Sequence, residues 1–143
     1  MTVRSILATK GHHVTTIAPN RTLLDAVNLL AKKRIGAVIV AAPDGVMFGI
    51  LSERDVVRAL AQQGASVLDG AVATVMTEHV VTCEPDEAVD VILTRMTEGK
   101  FRHMPVLEDE RLIGIVSIGD LVKYRIDEVE REHRALKDYI LTA

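Results

Sequence analysis

The pattern in this chain that is most able to do chemistry is Gly-apolar-apolar-Ser-x-x-Asp, which occurs at Gly49–Asp55 and again at Gly114–Asp120. Each occurrence ends a short apolar run and begins a polar stretch, which predicts a junction between a strand and a helix. Two interpretations are open. In the first, the Ser side chain caps the helix, and the negative charge of the Asp interacts favourably with the helix dipole. Alternatively, the amides of the helix N-terminus bind a phosphate and the carboxylate binds a ribose diol.

The region around this motif is repeated. Residues 14–19 align with residues 80–85, and the same shift aligns Leu23 with Val89. The turn between the two apolar runs is one residue shorter in the second copy, and with this gap the two motifs align with each other. Gly, Ser and Asp recur in both copies, whereas the residues between Ser and Asp do not. Because the helix start was not simply copied, the repeat favours the functional interpretation over capping alone.

Each copy contains the signals for the same elements. A helical pattern follows Pro19 or Pro85, then come two short apolar runs and a second helix after the Ser. A short extended segment precedes the first helix. A copy of this size is too small to bury its own core, so we expect the two copies to pack together through their sheets with approximate two-fold symmetry. The expected bounds are 1–63 for the first copy, 64–73 for a linker, 74–127 for the second copy and 128–143 for a C-terminal helix extension.

The C-terminal segment lies outside the repeat. No Pro or Gly follows Asp120, and the apolar residues, with His133, are spaced by 4, 3, 4, 3 and 4 positions from Val122 to Ile140. This spacing predicts a long helix with a heptad-like seam. The seam docks on its own domain or packs against a partner chain, and the sequence leaves both alternatives open.

Composition and charge exclude several functions. The chain of 143 residues is 48% hydrophobic but 3% aromatic, with 17 basic and 20 acidic residues. The negative net charge and scarce aromatics disfavour nucleic acid. No apolar run is long enough for a membrane span and no signal peptide is visible, so we expect a cytoplasmic protein. The spacing of the His residues predicts no metal site. The sequence shows no nucleophile paired with a base, so we expect neither an enzyme nor a catalytic residue.

With these motifs, the chain resembles a tandem pair of cystathionine-β-synthase (CBS) domains, also called a Bateman module, of the small stand-alone bacterial type. The resemblance covers roughly residues 1–127. It rests on Val-x-Thr before Pro, on the helix and strand that follow, on the duplicated motif, and on Phe101–Val106, which is typical of a second copy. The resemblance implies an α/β (α+β) fold of two pseudo-symmetric βαββα repeats, to which this chain adds its long C-terminal helix.

In that family, adenine nucleotides bind in two clefts between the paired domains. The resemblance implies that both motif Asp residues hold ribose hydroxyls, that both motif Ser residues lie by ribose or phosphate, that a Thr of each incoming segment lines the pocket, and that the apolar strands flank the adenine. The implied residues of these four kinds are Asp55 and Asp120, Ser52 and Ser117, Thr16 and Thr82, and Val38, Ile39, Met104 and Pro105.

Basic residues are distributed unevenly between the copies. Arg54 in the first copy aligns with Gly119 in the second, and Arg102 and His103 have no basic counterparts in the first. We hypothesise that Arg54, Arg102 and His103 surround a phosphate, with Gly119 at the same site, and that the two clefts differ in affinity. The alternative is that Arg54 is a solvated residue of the first helical turn and Arg102 a surface charge.

These observations lead to one main functional hypothesis. The chain is predicted to be a non-enzymatic regulatory module that senses an adenine nucleotide and passes the ligand state to an effector protein. AMP is the expected ligand, with ADP, ATP, NAD(H) or S-adenosylmethionine as alternatives, and no other cofactor is expected. The resemblance also implies a homodimer. The alternative hypothesis is a structural dimerisation or scaffold module with non-functional clefts.

Overall fold

The computed structural model describes residues 1–142, which form two compact units. The first unit comprises residues 13–81, and the second unit comprises residues 1–12 together with the chain from Thr82 onward. Each unit contains one copy of the repeat. The bounds of the units therefore differ from the expected bounds of the copies, which stay a prediction.

The first unit begins with the short strand β1 (Thr16–Ile17) and helix α2 (Leu23–Lys33), and continues with strands β2 (Ala37–Ala41) and β3 (Met47–Ser52) and helix α3 (Glu53–Gln63). β2 lies in the middle of the sheet, parallel to β1 and antiparallel to β3. All five residues of β2 are buried, as its uninterrupted apolar sequence predicts.

The second unit begins with helix α1 (Val3–Lys10) and continues from Thr82 with helix α4 (Val89–Gly99), strands β4 (His103–Glu108) and β5 (Arg111–Ser117), and helix α5 (Ile118–Thr142). β4 and β5 form an antiparallel pair. A single parallel bridge between Cys83 and Val106 stands where the first unit has β1. Cys83 is a buried core residue, as its position in the repeat predicts.

The predicted helices and strands of both copies are confirmed. The core-facing residues of α2 are Leu23, Ala26 and Leu30, and those of α4 are the aligned Val89, Ile92 and Met96. Helix α5 is continuous over 25 residues, as the absence of Pro and Gly after Asp120 predicts. None of the helices among residues 1–142 is long and apolar enough to cross a membrane.

The segment that precedes each copy packs on the unit that contains the other copy. Residues 64–73, expected to be a linker, form most of two short 3-10 helices (Ala65–Asp69 and Val72–Thr74) and contribute Val67 and Val72 to the core of the first unit. In the second unit, α1 contributes Val3, Ile6 and Leu7 to the core. The cores are therefore completed by segments outside the helix–strand–strand–helix pattern.

The glycine that begins each motif allows the incoming segment to approach the backbone of the motif strand closely. A Cβ atom on Gly49 would lie 2.5 Å from the carbonyl oxygen of Thr77, and one on Gly114 would lie 2.7 Å from a methyl group of Leu7. The Thr77 backbone is held in place because it exchanges hydrogen bonds of 3.0 and 2.8 Å with Ile50. The first residue of the motif is thus explained by packing rather than by a ligand.

We expect Gly49→Ala to destabilise the protein more than Gly114→Ala. The added methyl of Gly49→Ala meets fixed backbone, whereas that of Gly114→Ala meets the end of a side chain that can rotate. The expected losses in the free energy of unfolding are about 2–3 kcal/mol and about 1 kcal/mol, measured by urea denaturation.

Gly119→Ala is the control, because a Cβ there contacts only the Ser117 hydroxyl, at 3.6 Å. Its position in a helix predicts unchanged or slightly higher stability. Equal losses for Gly49→Ala and Gly114→Ala would contradict this account of the two glycines.

Candidate functional site

The duplicated motif forms a helix cap in both units. In the first unit, the Asp55 amide donates to the Ser52 hydroxyl at 3.2 Å, and the Ser52 amide donates back to the Asp55 carboxylate at 2.9 Å. In the second unit, the same two bonds join Ser117 and Asp120 at 3.1 and 2.8 Å. The capping interpretation is therefore correct for both copies. A further role in ligand binding depends on what else surrounds each carboxylate.

The Asp55 carboxylate is enclosed by groups of its own unit. The Ser52 hydroxyl donates to its Oδ2 atom at 3.1 Å, the Thr77 hydroxyl lies 3.3 Å from its Oδ1 atom, and the Arg58 guanidinium lies 3.7 Å from Oδ1. Its side chain is 9% exposed. Both oxygens of Asp55 are thus used for structure.

The Asp120 carboxylate has a different environment. The Lys10 ammonium group, from the last residue of α1, donates to its Oδ2 atom at 2.6 Å, and the Ser117 amide donates to the same oxygen. Lys10 also donates to the Ile115 carbonyl at 2.7 Å. The Asp120 side chain is 27% exposed. The Asp120 carboxylate is thus more exposed than that of Asp55, and it is paired with a cation from α1.

The charge of Asp120 is stabilised by these contacts. Burial by itself raises the pKa of the Asp120 carboxyl, but the hydrogen bonds from Lys10 and from Ser117, together with the charge of Lys10, outweigh burial and hold this pKa below its ordinary value. Asp120 is therefore an ionised acceptor at neutral pH, next to a cation that offsets its charge.

Several predicted ligand residues meet near Asp120. His103 pairs with Ser117 across the β4–β5 ladder, and the carbonyl of Arg102 accepts a hydrogen bond of 2.8 Å from the Ile118 amide. Arg102 and Gly119 are exposed. The start of β4, the end of β5 and the start of α5 thus bring these residues together in the second unit.

The corresponding residues of the first unit are arranged in the same way. Ser52 pairs with Ala37 at the start of β2, and Thr16 pairs with Ile39 two residues further along the strand. Thr16 and Arg54 are exposed. The first unit therefore has the same backbone arrangement as the second, but its carboxylate is closed.

The structure limits what the strand residues can contribute. Val38 and Met104 are fully buried members of the two cores, so their side chains point away from a ligand on the other face of the strand. Ile39 and Pro105 are buried on that other face. Their contact with an adenine stays a prediction.

Thr82 lies in unfavourable surroundings for a phosphate. It lines a cavity of about 520 Å³ in the second unit, and the cavity has an acidic wall. The other lining residues are Cys83, Glu84, Glu87, Leu107, Asp109 and Glu110. Any role of Thr82 in binding would therefore concern an uncharged part of a ligand. Among residues 1–142, no group of His, Cys, Asp or Glu side chains is arranged to hold a metal ion.

Lys10 and Thr77 are the residues near the motifs that sequence reasoning missed. Both precede the part of the repeat that is recognisable from its pattern. The repeat register contained the signal, because its shift of 66 aligns Lys10 with Met76 and Gly11 with Thr77. This alignment predicts that the segments before the two copies are equivalent. It does not predict that each segment packs on the unit that contains the other copy.

The family model of the CBS domain matches this chain twice, over residues 3–62 and 72–127. Each match contains one copy of the Ser-x-x-Asp motif and its cap. The chain therefore belongs to the CBS domain family and carries a tandem pair of CBS domains.

Two relatives of this chain are CBS domain-containing proteins. The CBS domain-containing protein YhcV of Bacillus subtilis is 31% identical over 119 residues, which cover 82% of this chain and 82% of YhcV. The mitochondrial CBS domain-containing protein CBSX3 of Arabidopsis thaliana is 36% identical over 123 residues, which cover 83% of this chain. This chain spans 60% of the length of CBSX3.

Solved structures share the fold. The CBS-domain containing protein ATU1752 from Agrobacterium tumefaciens has a TM-score of 0.86 and 45% identity, covering 87% of this chain and 99% of that one. The CBS domain pair of MJ0100, in complex with 5′-methylthioadenosine and S-adenosylmethionine, has a TM-score of 0.78 and 26% identity, covering 90% and 98%. The CBS domain protein PAE2072 from Pyrobaculum aerophilum, complexed with AMP, has a TM-score of 0.73 and 26% identity, covering 84% and 89%.

We expect Lys10→Met to raise the pKa of Asp120, because it removes the main donor to Oδ2. The folded-state pKa of Asp120 is depressed, so its ion pair stabilises the protein above the unfolded pKa of about 4 and is lost as the pH falls through the lower folded value. The free energy of unfolding of Lys10→Met should therefore be about 1 kcal/mol lower than that of wild type at pH 7. This difference should disappear in acid, where Asp120 is protonated in both proteins.

The NMR chemical shift of the Asp120 carboxyl carbon, followed as a function of pH, measures the pKa directly. Urea denaturation between pH 7 and pH 3 measures the free energy of unfolding. Arg134→Met, at an exposed position of α5 far from Asp120, is the control and should change neither quantity. An Asp120 pKa that is the same in wild type and Lys10→Met would show that the ion pair is absent in solution.

Proposed function

We propose that this CBS pair is a regulatory module that binds an adenine nucleotide at the Asp120 motif and passes the ligand state to an effector protein. AMP is the first candidate ligand, and ADP, ATP, NAD(H) and S-adenosylmethionine are the others. In this proposal the module is a cytoplasmic homodimer, catalyses no reaction, and needs neither nucleic acid nor membrane.

The ligands in related structures support an adenosyl compound. AMP is bound to PAE2072, and 5′-methylthioadenosine and S-adenosylmethionine are bound to MJ0100. These three compounds share adenine and a ribose with two free hydroxyls, whereas AMP alone among them carries a phosphate. A site for this class of ligand therefore needs an acceptor for the ribose diol more than it needs a phosphate clamp.

The observation that carries the proposal is the exposure of the Asp120 carboxylate, whose side chain is 27% exposed against 9% for Asp55. A carboxylate that is ionised and partly exposed accepts hydrogen bonds from hydroxyls more strongly than a neutral acceptor does. The capping bond orients this carboxylate, because the Ser117 amide holds Oδ2 at 2.8 Å. The ribose would therefore meet an acceptor that is already fixed in position, which reduces the entropy cost of binding.

Lys10 and the start of α5 make the surroundings of Asp120 more favourable for an anionic ligand. The ammonium group of Lys10 offsets the charge of Asp120 and so reduces the repulsion that an anionic nucleotide would meet beside a carboxylate. The positive end of the α5 dipole acts in the same direction. Arg102, exposed next to the start of α5, is the side chain we assign to a phosphate, and His103 is the next residue, at the start of β4.

Adenine recognition follows from the scarcity of aromatic residues. The chain has no Trp, two Tyr and two Phe, and none of them lies in either Ser-x-x-Asp motif or in strands β2 and β4. In the proposed site the adenine is therefore held between aliphatic groups such as Pro105 and is recognised by backbone amides and carbonyls. Shape and edge hydrogen bonds then select adenine.

The position of Lys10 suggests how binding is transmitted. Lys10 ends α1 and holds Asp120 through one contact, so a ligand that competes for Asp120 or attracts Lys10 changes the free energy of the docked α1. A partner that binds only one state of α1 then responds to the ligand, since binding at the two sites is linked.

The closed Asp55 carboxylate favours the scaffold interpretation for the first repeat. With Ser52, Thr77 and Arg58 around both oxygens, a ribose would have to displace existing bonds before it could bind. We therefore propose one functional adenosyl site, at the second motif, and a structural role for the first.

We expect Asp120→Asn to weaken AMP binding and Asp55→Asn to leave it unchanged, both measured by isothermal titration calorimetry. Loss of the charge-assisted diol contact costs about 1.5–3 kcal/mol, which is about tenfold to over a hundredfold in affinity. The two substitutions are matched, since each alters the Asp of the same capping motif. Circular dichroism checks that both variants are folded.

Other outcomes have distinct meanings. Loss of binding only in Asp55→Asn would place the site at the first motif, contrary to the proposal. If none of the five candidate ligands raises the melting temperature of the wild-type protein, the adenosyl proposal is wrong and the scaffold hypothesis remains, because a ligand that binds only the folded state must stabilise it.

Comparing AMP with adenosine tests the assignment of Arg102. We expect Arg102→Ala to weaken AMP binding about tenfold and to leave adenosine binding unchanged, because adenosine has no phosphate. Arg134→Ala, an exposed residue of α5, is the control. Unchanged AMP affinity in Arg102→Ala would overturn the phosphate role and support the surface-charge alternative.

A further inference from the structure

Helix α5 carries an apolar stripe that its own unit does not cover. The two buried residues of the helix are Leu121 and Glu128. The stripe is exposed along its whole length, with exposed fractions between 44% and 64%, at Val122, Ile126, Val129, Leu136 and Ile140. Docking on the second unit therefore does not explain why these positions are apolar.

The stripe and the docked face lie on different sides of the helix. Leu121 and Glu128 are seven residues apart and share one face, and at 100° per residue the stripe lies about 120° around the helix from them. Its 4-3-4-3-4 spacing, completed by His133, is the pattern of the a and d positions of a two-stranded coiled coil. In this register 126, 133 and 140 are a positions, and 122, 129 and 136 are d positions.

Charged residues flank the stripe at the positions that contact a partner helix. Lys123, Glu130 and Lys137 occupy the e positions, and Arg125 and Glu132 occupy g positions. These positions select the orientation of the partner, because g residues face different residues in parallel and antiparallel pairs.

A parallel pair of identical helices brings opposite charges together. There, each g residue faces the e residue five positions later on the other helix, which pairs Arg125 with Glu130 and Glu132 with Lys137. Each pair occurs twice by symmetry. Arg125 also lies 3.5 Å from Glu128 of its own helix and is still 48% exposed, so it can reach both partners.

An antiparallel pair brings like charges together. When the stripes overlap fully in that orientation, e residues face e residues and g residues face g residues. Glu130 then faces Glu130, Glu132 faces Glu132, and Lys123 faces Lys137. The charge pattern therefore fits a second copy of this helix in the parallel orientation and opposes the antiparallel one.

A lipid surface fits the helix less well. Between Ile118 and Thr142 there are six acidic and five basic residues, so the polar face has no excess of positive charge to attract anionic lipids.

We propose that residues 122–140 of α5 pair in parallel with the same residues of a second copy, as a short two-stranded coiled coil. His133 is the polar residue at a central a position, the kind of residue that specifies register at a cost in stability. This proposal names an interface for the homodimer of the proposed function, and it does not depend on nucleotide binding.

Disulfide cross-linking of the full chain tests the orientation. We expect Leu136→Cys to form a covalent dimer under mild oxidation, because d positions face each other in a parallel pair. Arg134→Cys, an exposed b position on the outer side, is the matched control and should cross-link at least about tenfold more slowly. The native Cys83 does not interfere, since burial raises the pKa of its thiol to about 12.

Charge substitutions in the Leu136→Cys background test the partner recognition. Glu132→Lys places like charges opposite Lys137 in the parallel pair, and it should slow cross-linking about tenfold. Adding Lys137→Glu restores the opposite charges and should restore the rate. No change in either variant would show that these charges do not face each other.

Two further outcomes would overturn the proposal. In a mixture of Ile126→Cys and Leu136→Cys chains, a disulfide between the two variants in preference to disulfides within each indicates antiparallel pairing. If Leu136→Cys does not cross-link while sedimentation shows a dimer, the copies associate through another surface. That result would leave the homodimer of the proposed function standing and remove only this interface.

Discussion

Each unit depends on the segment that precedes the other copy of the repeat, because this segment lies across the hairpin that carries the Ser-x-x-Asp motif. The contact is so close that Gly49 and Gly114 have no room for a side chain against Thr77 and Leu7. The same segments complete the cores, through Val72 in the first unit and through α1 in the second. Without this crossing, neither core is closed and neither motif carboxylate has its neighbours.

The crossing also makes two equivalent motifs different. Both copies keep the Ser–Asp cap, because each needs a helix that begins directly after a buried strand. What differs comes from outside the motif: the Thr77 hydroxyl and Arg58 close the Asp55 carboxylate, whereas Lys10 binds an Asp120 carboxylate that stays partly exposed. The same cap can therefore hold its carboxylate in two different environments, while the cap itself is unchanged.

Local signals in the sequence were sufficient to predict the elements. Capping residues, apolar periodicity and the absence of Pro and Gly predicted α2, α3, the four main strands and the length of α5. The same signals could not predict which face of a strand is the core. In β2 every residue is buried, so alternation gives no information, and Val38 and Met104 were expected beside a ligand although their side chains lie in the cores. Nor could they predict the neighbours of the carboxylates, since Lys10 lies 110 residues from Asp120 in the chain.

By itself the sequence determined the duplicated architecture, the family and the identity of the capping residues. These depend on interactions between residues a few positions apart, or on a pattern that is repeated within the chain. Only the tertiary structure decided which copy each incoming segment packs on, which of the two carboxylates is more exposed, and which side of α5 is left uncovered. These depend on contacts between distant parts of the chain, whose partners are selected by shape and burial and leave no periodic signal in the sequence.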